Sequence, residues 1–346
     1  MTFLSKMAGT AAFAALCVGM AFSSANAADF TLRASHAESV ESPMHRGYLL
    51  FKAYVEGASG GKIEVIISPA GQLGSIDEGL EQAKIGAIQL AHGDETTLST
   101  FYKPMMVLAT PYLFAHDEEG RDFIDGAFFA EMNDKMASES GLRLLAASSY
   151  GFRNFTNNVR EIKTAADMEG IRMRVPPSPM SLAMVKAMGG SPTPVPWGEL
   201  YGAMQTGVVD GQENPTGVVL DYSFNEVQKY LTVDAHQLGL NMMVVSEAFF
   251  QSLPPELREI VRTGAQMSTA TEYGERNYQA RVSAIDALKE KGMQVYFPTS
   301  EEVATFRTAA EGPMKDYLKT ELDPAFVDAV YGEVERIRAA NRAAVE

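Results

Sequence analysis

The chain has 346 residues, with 29 Lys and Arg against 44 Asp and Glu, giving a formal net charge of −15 and a pI near 4.9. That balance excludes a nucleic-acid partner, because phosphate backbones are gripped by clustered cations. The single cysteine, Cys17, excludes a disulfide framework, so stability rests on apolar burial, and the length suffices for two domains with a core each.

At the N-terminus, Lys6, an apolar run from Ala8 to Phe22 and the small residues Ala25 and Ala27 form the pattern of a cleavable secretory signal, with cleavage expected after Ala27. The run is short for a membrane span and no second one follows. Bulky Leu16 before Cys17 argues against lipidation. Beyond the signal, Phe30 to Ala34 predicts a strand. Met44 to Glu56 predicts a helix with Leu49, Leu50, Ala53 and Tyr54 inward, Lys62 to Ile67 a strand, Asp77 to Ile85 a helix and Ala87 to Ala91 a strand. Such alternation predicts an α/β sheet flanked by helices. His116, Asp117, Glu118 and Glu119 have the letters of a metal site, but a helix dipole favours carboxylates in its first turn, and a helix start is expected.

LRLLAASS, after Gly141, predicts a buried strand that leads into GFRNFTNN and crosses near Gly151 to a second domain. Helices are expected around Met180 to Met188 and Trp197 to Thr206, and the apolar segment His236 to Val245 is expected to return to the first domain. Pro254 and Pro255 open a helical pattern running to about Lys291.

Two stretches carry the chemistry. In GIRMRVPP, Ile171, Met173 and Val175 alternate with Arg172 and Arg174, the period of a half-buried strand, and Pro176 and Pro177 end it. A guanidinium on a stiff backbone loses little freedom when it grips a carboxylate bidentately, although the same alternation also describes a solvated sheet face. In VVDGQENP, Gly211 permits a backbone geometry other residues resist, and Pro215 holds Asn214 extended as an aimed amide; a plain turn is the alternative. Reactive constellations fail on context. Gly57, Ser59 and Gly61 match a nucleophile elbow but lie in helix–turn–strand order, the histidines have no metal spacing, and no phosphate loop occurs.

These two stretches, the intervening SPTPVPWGELYGAMQTG, PAGQLGS near Gly71, LATPYLF from Leu108 to Phe114 and GFRNFTNN together resemble the solute-binding subunits of TRAP (tripartite ATP-independent periplasmic) transporters, the DctP-type family, over nearly all the mature chain. The resemblance implies a two-lobed periplasmic binding protein of the class II type, α/β in class. Its lobes would be 28–150 with about 237–280, and 151–236 with about 281–346, sharing a long helix at about 255–291 across a hinge cleft. It implies a ligand-carboxylate contact at Arg174, a second at Arg153, orientation by Asn214 and an aromatic wall at Trp197. His36 follows one strand and His92 with Asp94 another, where α/β sheets present ligands, and position in the family makes His36 and Asp94 cleft candidates; Gln72 and Tyr201 complete the set. Asp94, if it faces the ligand, suits hydroxyls over a second anionic end.

The implied role is capture of a small organic acid, of sugar-acid or C4-dicarboxylate type, in the periplasm. The protein would be a monomer without cofactor or metal, delivering its ligand to membrane permease subunits. An importer driven by ATP, a sensory receptor and a periplasmic lyase or hydrolase acting on acid sugars are the alternatives.

Overall fold

The computed structural model describes residues 28–344; the signal expected at the N-terminus lies outside them. The first part of the chain alternates β1 (Phe30–Ser35), α1 (Pro43–Ala58), β2 (Ile63–Ser68), α2 (Ile76–Lys84) and β3 (Leu90–Asp94). Local signals set these boundaries. Ser42 caps α1 with Pro43 at its first position, and Ser75 and Glu78 form a reciprocal capping box on α2. The buried stripe of α1 is Met44, Tyr48, Phe51 and Val55; Leu49 is 48% exposed, so the expected inner face is rotated. Both stripes have helical spacing, and packing against β2 and a later helix, Pro255–Tyr278, decides between them.

Helices α3 (Asp117–Ile124) and α4 (Ala127–Ser140) follow, α4 ending at Gly141 in the left-handed conformation. Asp117, Glu118 and Glu119 lie in the first turn of α3, and no group of three or more potential metal ligands occurs among the described residues. Ser59 is the cap residue closing α1, its hydroxyl bound to Glu56 O, which disposes of the nucleophile elbow.

Two long strands then organise the molecule. β4 (Leu142–Asn157) takes in both LRLLAASS and GFRNFTN, and β8 (Tyr230–Ser246) pairs with it antiparallel along nearly its whole length. Between them come β5 (Arg172–Val175), α5 (Pro179–Ala187), β6 (Ser191–Pro194), α6 (Leu200–Gln205), β7 (Gly211–Asn214) and α7 (Thr216–Asp221). One continuous sheet results, in the order β2-β1-β3-β8-β4-β7-β5-β6, with β9 (Gln294–Tyr296) parallel to the start of β8. The passage from one lobe to the other is made inside β4 and β8. Register shifts at Ser149/Gly151 and Arg153/Phe155, with Gly151 at φ 109° and Ala235 at φ 48°, bend the ladder there.

The C-terminal part is helical: α8 (Glu247–Ser252), α9 (Pro255–Tyr278), a π-turn at Gln279–Ser283, α10 (Ala284–Glu290), α11 (Ser300–Glu321) and α12 (Pro324–Ala343). The helix expected to run to about 291 does so, to Glu290, with the π-turn inside it. α9 packs on α1 and β4, while α10 packs on α7, so the two sides of the π-turn serve different lobes. α11 lies against α5, but α12 returns to α3, where Arg338 pairs with Glu119. Residues after 281 thus pack against both α5 and α3.

Candidate functional site

Three adjacent strands bring Arg153, Arg174 and Asn214 together. β7 is flanked by β4 and β5, with Asn154 opposite Asn214 and Met173 opposite Gly211. The stretch read as a turn, GQEN, is this strand. Gly211 is needed there for a close approach: an added Cβ would lie 2.3 Å from Thr156 O. Arg174 and Asn214 sit at or next to the C-terminal ends of their strands, where α/β sheets place ligands.

These residues line a cleft between the lobes, with Trp197, Pro176 and Pro177 on the same side and Asp94, Asp77 and His92 facing from the other. Both Arg172 and Arg174 are on β5, yet their surroundings differ. Arg172 is exposed and paired with Asp210, whereas Arg174 is 2% exposed. Among the described residues Arg174 has one hydrogen-bond partner, Val195 O at 2.8 Å from Nε, leaving its terminal nitrogens without a protein acceptor. Its guanidinium carbon lies 6.0 Å from the Trp197 ring centre, and that ring is braced edge-on by Tyr222. Burial pushes Arg174 down to about 10, with Glu213 opposing and Arg153 adding to the fall, so it remains a cation at neutral pH.

Arg153 is equally buried but is held by the protein itself. Its guanidinium donates to both carboxylate oxygens of Glu213, to Glu213 O at 2.9 Å and to the Tyr150 hydroxyl. Burial alone would raise Glu213, and Arg153 with His236 overrides it, holding the carboxyl down at about 2. Burial likewise works against charge on His236, but Asp234 at 2.9 Å and Glu213 at 3.4 Å hold its proton up to about 9. Glu95, 1% exposed, accepts from Gln237 and Leu240 N, and burial raises it to about 8.

His236 and Glu95 both bind protons more tightly folded than unfolded, so each contributes stability that is lost as pH rises. For His236 the window runs from 6.5 to about 9, and for Glu95 from 4.5 to about 8. Glu272, also raised to about 8 by burial, adds the same sign, while His36 near 3 and Glu213 near 2 titrate below this range. The melting midpoint of the ligand-free protein is accordingly expected to fall by several degrees between pH 7 and pH 9, at about 2–4 °C per kcal/mol for a chain of this order. Differential scanning calorimetry at constant ionic strength checks this; a midpoint that holds or rises contradicts the assignment.

Above the cleft, Arg276 of α9 is 1% exposed and bridges Glu38, after β1, to Asp221 at the end of α7. Ser39 N also donates to the Tyr222 hydroxyl across the same gap, so the lobes touch beside the cavity.

Of the residues singled out from sequence, Arg174, Arg153, Asn214, Trp197 and Asp94 line the cleft. His36 does not. It is buried one layer behind, against His45 and Tyr48, lining a smaller adjoining hollow, and His92 on β3 takes the place expected of it. Gln72 is exposed outside the cavity, and Tyr201 points to Glu226 and the Phe224 cluster. Glu213, Tyr150, His236 and Asp77 were missed. The signal available for Glu213 was the acid itself: read as a strand, GQEN places Glu213 on the face opposite Gln212 and Asn214, where a buried carboxylate demands a cation.

A family model described as bacterial extracellular solute-binding protein, family 7, matches residues 34–320. The 2,3-diketo-L-gulonate-binding periplasmic protein of Escherichia coli is 29% identical over 281 residues, 80% of this chain and 83% of that protein. The sugar acid binding protein of Advenella mimigardefordensis, solved with galactonate, superposes with a TM-score of 0.83 at 26% identity, covering 89% of this chain and 98% of that one. A TRAP periplasmic solute-binding protein of Sulfurospirillum deleyianum, solved with succinate, superposes with a TM-score of 0.81 at 26% identity, over 90% and 99%. No helix among the described residues is long and apolar enough to cross a membrane. With a two-lobed fold, a cation lining the cleft and a family match across both lobes, the chain belongs to the TRAP transporter solute-binding proteins, bacterial extracellular solute-binding protein family 7.

Proposed function

We propose that the chain captures a small organic carboxylate between its lobes in the periplasm and presents it to the permease subunits of a TRAP transporter. The observation that carries this reading is Arg174: a buried cation with its terminal nitrogens unclaimed by protein, mounted on a strand end stiffened by Pro176 and Pro177. A desolvated charge of that kind is costly until an anion meets it. Galactonate and succinate, held by two structural relatives, are both carboxylates.

In this reading Arg174 forms the bidentate pair and stacks beside Trp197, while the Asn214 amide orients the carboxylate. Arg153, saturated by Glu213 and Tyr150, adds positive potential and holds β4 to β7, and offers at most one further donor. Closure of the lobes brings Glu38 and Asp221 onto Arg276 and removes water from the pair. A thermal-shift screen over aldonates, uronates, C4-dicarboxylates, keto acids and amino acids is expected to raise the midpoint by several degrees for at least one acid, since a ligand bound only by the folded state stabilises it. No shift with any acid at millimolar concentration rules the reading out.

A further inference from the structure

The two ends of the cleft are chemically opposite. Arg174 and Asn214 supply donors at one end; at the other, the charged groups are carboxylates, beside the hydroxyls of Ser75 and Thr97. Asp77, in the first turn of α2, and Asp94, at the end of β3, both line the cavity, and neither has a cationic partner among the described residues. Asp94 Oδ1 is consumed by Thr96 N and Thr97 N at 2.8 Å each, which leaves Oδ2 open. His92, 6% exposed between them, has Nε2 3.2 Å from Asn241 Oδ1 and no partner for Nδ1. Asn241 uses its amide nitrogen on Glu272, so its oxygen receives from His92, and Nδ1 presents a lone pair. Glu38, the third carboxylate at this end, is already neutralised by Arg276.

We infer that Asp77 and Asp94 set ligand class: the site takes a monocarboxylate with hydroxyl donors at its far end and rejects a dicarboxylate. This rests on carboxylate capture by Arg174 and deepens it. Three acceptors left without donors are satisfied by a polyhydroxylated tail, each hydroxyl donating once. A second carboxylate would bring only acceptors to that end and would be buried against two uncompensated negative charges. Burial and Asp94 both raise Asp77, consistent with an end that lacks cations.

The test compares carbon-matched acids that differ only at the far terminus, galactonate against galactarate and erythronate against tartrate, by titration calorimetry. The wild-type chain is expected to prefer the aldonate of at least one pair by about 30-fold or more, the scale of a like-charge juxtaposition. Asp77→Asn and Asp94→Asn keep an acceptor oxygen for the turn and the helix start while removing charge. They are expected to shrink that preference to about threefold, mainly by gaining affinity for the diacid. Equal or tighter wild-type binding of the diacids overturns the inference, as does a preference unchanged in both variants. Failure of every acid to bind, or indifference of binding to Arg174→Ala, instead overturns the capture reading on which it stands.

Discussion

Replacing Arg174 by alanine is expected to weaken acid binding by about 2–5 kcal/mol, or about 30-fold to a few thousand-fold. The loss arises from the ligand side: a carboxylate drawn into the closed cleft would face Asn214 and the pyrrolidine rings of Pro176 and Pro177, with Arg153, already paired to Glu213, as the one remaining cation among the lining residues. Stability is expected to move the other way. In the ligand-free protein the guanidinium is desolvated, with Val195 O as its hydrogen-bond partner, and burial lowers its proton affinity, so its removal relieves a cost. The apo midpoint of Arg174→Ala should therefore equal or exceed that of the wild type while affinity collapses. Arg174→Lys keeps charge but loses the planar fork, and intermediate affinity is expected. Calorimetric affinity within threefold of wild type in Arg174→Ala, or parallel loss of fold and binding, would remove Arg174 from the role.

What could be seen in advance, and what could not, follows from which forces are local. The α/β alternation is written in side-chain period and caps, so β1 through β3 and their helices fall within a few residues of their expected places. Period does not say what covers a face. The inner stripe of α1 is therefore rotated from the expected one, and α12, whose buried Val327, Val330 and Val334 guarantee packing, gave no sign that it packs on α3. Gly151 was expected to mark a crossing and Gly211 admitted a plain turn, yet both belong to strands. At Gly151 the chain bends without leaving the sheet, and at Gly211 two strands approach too closely for a side chain.

The site divided in the same way. Arg174, Trp197 and Asn214 are carried by short motifs whose prolines fix local direction, and the structure collects them. Gln72 and Tyr201 depended on where a loop and a helix face would lie in space, and they lie elsewhere. Asp77 was invisible for the opposite reason: an acid in the first turn of a helix looks ordinary until β3 and α2 bring it to one end of a cleft.

Loss of Glu213 should produce the reverse of the Arg174 result. Glu213 is the counter-ion of Arg153, both are under 5% exposed, and the pair ties β4 to β7 at the point where the chain crosses between lobes. Glu213→Ala strands a buried guanidinium and takes from His236 one of its two carboxylates, a change expected to cost about 3–5 kcal/mol in denaturant unfolding. One compensation is available: Glu95 lies 3.9 Å from Arg153, and its carboxyl, raised to about 8 by burial, would ionise to replace the lost charge. The alkaline loss of stability that Glu95 contributes should then shift to lower pH in Glu213→Gln and vanish in the Glu95→Gln, Glu213→Gln double variant, which should be the least stable of the set. A double-mutant cycle with Arg153→Met gives the coupling directly. It should be several kcal/mol, because removing both charges leaves an apolar patch where removing one leaves an orphan. Additive single effects would show that the Glu213–Arg153 contact carries no net stabilisation and that β4 and β7 are held at the crossing by their backbone ladder alone.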